Sequence, residues 1–272
     1  MYLYFRGAKG LFLKSKKNFM RKKIWNLSIA LVALASTGFA QESAKKEKTF
    51  SMTVAMNQDN FFGYYPTIGA SVSLNDKTDF TMYSILWTTP SFGTGGGGGL
   101  WTEFGAGVNF KAAGGKLTIN PSLGILNGKL LSNGSYAIPF EGIVPSVTSN
   151  LNTSKFEGQF YLGYYAATRK GKVAQAGGGH TTAGVQNNFL HYWLNAGIKT
   201  NSAISLGLHY EHLRSNPSVG ASSDAYKWFG PYIQLTAPKG YGLRFTGGAD
   251  ITKRTPDTEQ NGFYKMTAFF TL

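Results

Sequence analysis

Apolar and polar residues alternate along this chain from residue 50 to its end. The last ten residues, Phe263–Leu272, show the pattern most clearly. Their even-numbered positions are all apolar or aromatic, whereas Lys265, Thr267 and Thr271 occupy odd-numbered positions. Because successive side chains of a β-strand point to opposite faces, a period of two predicts a strand with one apolar face.

Twelve segments share this alternation and are predicted to be β-strands. They are Phe50–Met56, Thr67–Asn75, Phe80–Thr88, Glu103–Lys111, Lys116–Leu126, Gly142–Leu151, Phe156–Ala166, Phe189–Lys199, Ile204–Arg214, Lys227–Thr236, Gly242–Thr252 and Phe263–Leu272. Two of them contain an interior proline, Pro121 in the fifth and Pro145 in the sixth. Because proline lacks the N–H that a paired strand needs, we expect a bulge or bend there.

The connections between these segments alternate between short and long. The five short ones have tight-turn composition and cover residues 75–78, 112–115, 152–155, 200–202 and 238–240. The six longer ones cover residues 58–65, 89–99, 132–140, 168–184, 215–225 and 253–262. Transmembrane β-barrels have this arrangement, with short periplasmic turns and longer extracellular loops.

A membrane gives this pattern a physical cause. Hydrocarbon cannot hydrogen-bond a backbone amide, so a sheet that spans a membrane must close on itself. Tilted strands of about 9–11 residues span the hydrocarbon, and the predicted segments are close to that length. The sequence therefore predicts an all-β fold, a transmembrane antiparallel up-and-down β-barrel of about 12 strands in the cell outer membrane. Its first strand, Phe50–Met56, is expected to pair with its last.

Aromatic residues concentrate near the ends of the predicted strands, and we expect them where the apolar bands meet water. On the turn side these are Phe50, Phe110, Tyr241 and Phe270. On the loop side they are Phe61, Phe62, Tyr64, Tyr65, Trp87, Trp101, Tyr164, Tyr165, Tyr226 and Trp228.

The N-terminal 40 residues differ from the rest and are predicted to be a signal peptide. A basic stretch at Met20–Lys23 precedes the short apolar run Ile24–Ala35, and a small residue, Ala40, lies at the expected cleavage site. Residues 1–19 fit no part of a signal peptide, so we expect translation to start at Met20. Residues 41–48 are then a periplasmic linker, and residues 49–272 form the barrel.

Composition and charge narrow the function classes. The 272 residues include 35 glycines and no cysteine, and 15% are aromatic and 15% charged, which suits short strands and turns. The formal charge of +14 includes eight basic residues within residues 1–40; without that segment, 19 basic and 13 acidic residues remain, a charge of +6. No basic patch interleaved with aromatics is left, so no nucleic-acid partner is expected.

These features resemble the uncharacterised outer-membrane β-barrel proteins of Gram-negative bacteria. The resemblance rests on Phe39–Gln41 at the cleavage site, on hairpins throughout, and on the terminal Ala268–Leu272. The last residue, Leu272, departs from the phenylalanine most common there. The resemblance implies outer-membrane lipid, lipopolysaccharide and the barrel-assembly machinery as partners, and small polar solutes are a further expectation.

Charged residues at inward parity are candidates for lining the lumen. They are Glu103, Lys111, Glu157, Lys199, Glu211, Arg244, Asp250 and Lys265, together with His191 and His209. Two interpretations stay open, because buried charges need partners or water. The residues are either a structural network of opposite charges or a selectivity filter for a polar solute.

Other motifs indicate little chemistry. The glycine run Gly95–Gly99 lacks the lysine and helix of a phosphate-binding loop, and His180 lies in a glycine-rich loop. No cofactor is expected, and four histidines without ligand spacing indicate no metal site. His212 and Ser215-Asn216 are similar to the His-x-Ser-Asn signature of outer-membrane lipid A deacylases. The spacing is one residue too long, so strand alternation puts base and nucleophile on opposite faces unless a bulge intervenes.

Two function classes therefore remain. The chain is either a narrow passive pore for small polar solutes or a barrel with a structural or interaction role. A lipid A deacylase-like hydrolase that uses His212 and Ser215 is the alternative, and an enzymatic role is the less favoured outcome.

Overall fold

The computed structural model describes residues 49–87, 101–237, 240–252 and 262–272. The predicted signal peptide and linker lie outside these residues. The strands are β1 Phe50–Asp59, β2 Gly63–Ser73, β3 Thr78–Trp87, β4 Trp101–Ala112, β5 Leu117–Gly128, β6 Ile138–Asn152, β7 Phe156–Ala167, β8 Lys172–Ala174, β9 His180–Thr182, β10 Asn187–Lys199, β11 Ile204–Pro217, β12 Ser223–Thr236, β13 Gly242–Asp250 and β14 Gly262–Thr271. One 3-10 turn, Ala113–Gly115, joins β4 to β5. Across the described ranges, no helix has the length and hydrophobicity of a membrane span.

Twelve of the strands form one closed antiparallel barrel, as predicted. Each strand pairs with its neighbour along the chain, and β7 pairs with β10 across the small β8–β9 hairpin. The barrel closes between β1 and β14, with pairs running from Thr53 opposite Thr271 to Asp59 opposite Lys265. Closure leaves no unpaired sheet edge, which is the condition for spanning hydrocarbon.

The outside of the barrel is apolar. Large hydrophobic side chains project from it; Phe104, Ile198, Leu206 and Leu208, for example, are 48–58% exposed. A water-soluble protein does not leave an apolar surface of this extent uncovered. This outer face therefore requires a lipid environment.

Several outer connections differ from the prediction, because strands extend beyond the apolar band or because a loop contains a further hairpin. The first outer connection is only residues 60–62, since β1 continues to Asp59 and β2 begins at Gly63. Asp59 Oδ1 fixes this turn by accepting the backbone N–H groups of Phe61 and Phe62 at 2.9 and 2.6 Å. Residues 168–184, predicted as a loop, contain the β8–β9 hairpin. β12 begins at Ser223, four residues earlier than predicted.

Of the bulge or bend expected at each interior proline, the bulge does not occur. Pro121 lies opposite Val147, and Pro145 lies opposite Leu123, without a register shift at either place. The irregularities lie elsewhere, between Leu126 and Gly128 and between Leu213 and Arg214. A proline is tolerated where its missing N–H interrupts a ladder without adding a residue.

A buried carboxylate holds the outer loop between β5 and β6. Glu141 is fully buried and accepts the backbone N–H groups of Leu130, Leu131 and Ser132, each at 3.0 Å. A buried backbone N–H needs a partner, and this side chain supplies one for three successive residues. The loop is thereby fixed over the outer end of the barrel.

Candidate functional site in the barrel lumen

A cluster of polar residues surrounds Glu211 inside the barrel. Glu211 on β11 is fully buried, and its Oε1 accepts the Tyr226 hydroxyl at 2.8 Å and lies 2.8 Å from His191 Nε2. Its Oε2 lies 2.7 Å from Lys265 Nζ and 3.1 Å from His209 Nε2. Four strands, β10, β11, β12 and β14, thus place side chains on one carboxylate.

A chain of hydrogen bonds continues from this cluster towards the periplasmic strand ends. His209 Nδ1 donates to Asn195 Oδ1 at 2.7 Å, and Asn195 Nδ2 donates to Gln159 Oε1 at 3.3 Å. The same oxygen accepts from Arg244, whose guanidinium also donates to Gln234. Gln234 Nε2 then donates to Glu157 Oε2 at 3.1 Å, and the Tyr232 hydroxyl donates to Glu157 Oε1 at 2.8 Å.

The opposite wall, built from β3, β4 and β5, is also polar. Near the turns, Lys111 Nζ lies 2.6 Å from Asp79 Oδ1, and Asn109 donates to Asp79 Oδ2 at 3.0 Å. Further along the wall, the Tyr83 hydroxyl donates to Glu103 Oε1 at 2.7 Å. Glu103 is 1% exposed.

Two of the predicted lumen residues bond backbone or amide groups at strand ends. Lys199 Nζ donates to the Thr153 carbonyl at 2.8 Å and to the Asn152 side chain, at the turn side. Asp250, at the outer end of β13, accepts the N–H groups of Lys227 and Thr252 at 3.2 and 3.0 Å. Neither residue is part of the chain of bonds between Glu211 and Glu157.

The polar partners that complete these clusters are not among the site residues that the sequence predicts. Four of these partners lie on the same strand faces as the predicted charged residues, so the alternation of each strand could have identified them. They are Asp79, Gln159, Asn195 and Gln234. Asp59, at the end of β1, was missed for another reason, since the predicted strand stopped at Met56. Which of these side chains meet depends on pairing between distant strands.

Most of the loop-side aromatics do not form the expected band at the membrane surface. Phe62, Tyr65, Trp87, Trp101, Tyr165, Tyr226 and Trp228 are buried in one hydrophobic cluster, with Phe61 packed against it. Trp228 stacks between Tyr226 and Phe263, with ring centroids 4.0 and 4.9 Å away. The strands that carry these rings extend past the apolar band. At that height the rings are buried by turning into the outer end of the lumen. We call this cluster the aromatic layer.

The register separates the two residues of the hydrolase alternative. Ser215 lies opposite Phe189, two positions from the pair of His191 and Leu213, whereas His212 lies opposite Tyr192. The nearby bulge skips Ala225 on β12, so alternation along β11 is uninterrupted and the two side chains are on opposite faces. The structure therefore gives the hydrolase alternative no support.

His212 instead belongs to a polar cluster on the outer face. Its ring lies 2.8 Å from the Tyr192 hydroxyl and 2.8 Å from Asp224 Oδ1. Asp224 also pairs with Lys227 Nζ at 2.6 Å and with Arg214 at 3.5 Å. In the part of the chain that the structure describes, no group of three or more His, Asp or Glu side chains has metal-site geometry.

Several solved structures are similar to this chain. An outer membrane channel from Pseudomonas putida F1 is 8% identical, with a TM-score of 0.50 over 86% of this chain and 98% of that one. NanC porin is 12% identical, with a TM-score of 0.46 over 81% of this chain and 100% of that one. KdgM porin is 10% identical, with a TM-score of 0.44 over 81% and 98%.

The likeness to the Pseudomonas putida F1 channel shows the fold, a closed barrel of the outer-membrane type. Together with the apolar outer face, it makes this protein an integral outer-membrane β-barrel. No curated protein sequence matches the chain. A family model matches residues 20–272, and the chain therefore belongs to the family of unknown function DUF6733.

Proposed function

We propose that this protein is a narrow passive channel for small polar solutes. The observation that supports the proposal is the hydrogen-bonded polar wall from Glu211 to Glu157, which extends along the lumen towards its periplasmic end. Polar groups that exchange hydrogen bonds with a passing solute lower the cost of removing its water. A barrel with only a structural role has no need for such a wall, because apolar side chains fill a lumen at lower cost.

Opposite charges are paired along the lumen. Lys265 lies 2.7 Å from Glu211, and Lys111 lies 2.6 Å from Asp79. Pairing cancels most of the field that each charge produces alone. We therefore expect weak preference between small anions and cations in the polar part of the lumen.

The aromatic layer is the constriction of the proposed channel. Phe62 lies within it, 4.5 Å from the Trp87 ring, 5.9 Å from the Tyr65 ring and 6.4 Å from the Tyr226 ring between centroids. These three neighbours come from β2, β3 and β12, so Phe62 bridges separate parts of the barrel wall. Passage then depends on the space that this ring leaves.

Planar-bilayer recording on the purified protein tests the proposal. We expect small discrete conductance steps for the wild type and larger steps for Phe62→Ala, which removes a ring from the constriction. Phe104→Ala is the matched control, because Phe104 projects into lipid and its removal leaves the lumen unchanged. If wild type and Phe62→Ala both insert as folded barrels and neither conducts, the channel proposal is wrong and a structural or interaction role replaces it.

A further inference from the structure

A partly enclosed cavity of about 280 Å³ opens within the aromatic layer. Its apolar walls are formed by Phe61, Phe62, Trp87, Trp101, Tyr165 and Leu213. Binding sites for small molecules are concave and mostly apolar, with a few polar groups that orient the ligand. This cavity has that composition, and it is separate from the polar wall that runs from Glu211 to Glu157.

Two indole N–H groups belonging to this cavity's walls have no hydrogen-bond partner. Trp87 and Trp101 are 5% and 6% exposed, and neither Nε1 finds an acceptor in the described residues. Their ring centroids lie 5.8 Å apart, so the two donors belong to one region of the wall. Buried donors are nearly always paired in folded proteins, and a pair of unpaired ones in one cavity points to an acceptor supplied by a ligand.

The polar residues of the cavity favour a negative charge on that ligand. Lys129 and His191 line the cavity, and none of the described lining residues is acidic. The carboxylates next to the lining residues already accept hydrogen bonds: Glu211 holds four partners, Asp59 Oδ1 accepts the N–H groups of Phe61 and Phe62, and Glu141 accepts that of Leu130. An anion entering the cavity meets Lys129 at once and the two indole donors after their rings rotate, whereas a cation meets no carboxylate among the described lining residues.

We propose that this cavity binds a single-ring aromatic carboxylate. An apolar cavity of about 150 Å³ is known to hold benzene, so about 280 Å³ accommodates one ring with a short substituent. The ring contacts Phe62 and the indoles, and the carboxylate oxygens accept the indole N–H groups beside Lys129. Because both Nε1 atoms are buried in the wall, binding requires rotation of the indole rings. This site names one class of solute for the proposed channel. Binding itself does not depend on the channel function; the proposal rests on that function only for the ligand's further passage.

Binding is measured on the full chain in detergent, with benzoate as the probe and both tryptophan fluorescence and calorimetry as readouts. Benzylamine has the same ring with the opposite charge, and acetate has the carboxylate without the ring. We expect benzoate to bind about tenfold or more tightly than either. Trp87→Phe and Trp101→Phe keep a ring and remove a donor, and each is expected to weaken benzoate binding about five- to tenfold. Lys129→Gln is expected to weaken it similarly.

Trp193→Phe is the matched control. Trp193 stacks on Tyr161 at 5.9 Å and is not part of the cavity wall, so its replacement should leave benzoate affinity unchanged. The inference is overturned if wild-type protein binds benzoate no better than benzylamine, or if Trp193→Phe weakens binding as much as Trp101→Phe. The comparisons of benzoate with benzylamine and with acetate use wild-type protein, so they do not require any variant to fold.

Conductance measured in parallel separates this site from the channel proposal. Benzoate binding without conductance supports the site and overturns the channel. Conductance without benzoate binding supports the channel and overturns the site.

Discussion

Replacing Glu211 by glutamine removes the negative charge at the centre of the luminal cluster and keeps the size of the side chain. In the wild type, Lys265 Nζ lies 2.7 Å from this fully buried carboxylate, and His191, His209 and Tyr226 also contact it. The amide leaves the lysine without its counter-charge. The same change also converts an acceptor-only group into one that carries two donors facing other donors.

The expected loss of stability follows from burial. Removing one partner of a buried ion pair costs about 3–5 kcal/mol, because the other charge stays buried and unpaired. The Lys265 side chain is 17% exposed, so water reaches part of it. We therefore expect the lower end of the range, about 3 kcal/mol. Asp79→Asn is the control, because its partner Lys111 lies equally close but is 29% exposed, and we expect a loss of about 1 kcal/mol or less.

Guanidinium unfolding of the purified barrel in phospholipid vesicles, followed by tryptophan fluorescence, measures these free energies. A second variant isolates the cause. If a stranded lysine accounts for the loss, adding Lys265→Met to Glu211→Gln should recover about 1–2 kcal/mol. The reasoning is refuted if Glu211→Gln unfolds like the wild type, or if the double variant is the sum of the two single ones.

Three further predictions test the fold and its outer loop. Leu208→Arg puts a charge on the lipid face and should cost about 2–4 kcal/mol in the same vesicle assay. Gly230→Ala should prevent correct folding, because its Cβ would overlap the Gly247 carbonyl oxygen. Gly158→Ala is the control and should be tolerated, because its Cβ would make ordinary contacts of 3.5 Å or more. Equal yields of folded protein for the two variants would contradict this. Glu141→Ala should expose the loop it caps to protease, since three buried N–H groups lose their acceptor, while the barrel strands stay resistant.

Much of the fold is predictable because strand periodicity is local. The alternation in Phe263–Leu272 reappears as β14, and its pairing with β1 follows from the requirement that a membrane sheet close. The errors in strand length lie at strand ends, as where β1 continues through Asp59. Beyond the apolar band both faces of a strand meet water or protein, so hydrophobic alternation no longer marks where pairing stops.

The candidate site was less predictable. His212 and Glu211 are neighbours in sequence, yet one lies on the outer face and the other at the centre of the lumen. Parity separates them, but it does not say that Lys265, on the last strand, reaches Glu211. That contact depends on barrel curvature, which brings β11 and β14 within side-chain reach although they are not paired.

By itself, the sequence determined the class of fold, the number of barrel strands and the apolar outer face, because each follows from a period of two and from a solvent that cannot bond amides. Only the tertiary structure decided that Trp87 and Trp101 turn inward to line a cavity, and that one carboxylate gathers partners from four strands. The physical reason is that alternation assigns a side chain to a face, whereas contacts across a closed lumen depend on stagger and curvature accumulated over all twelve strands.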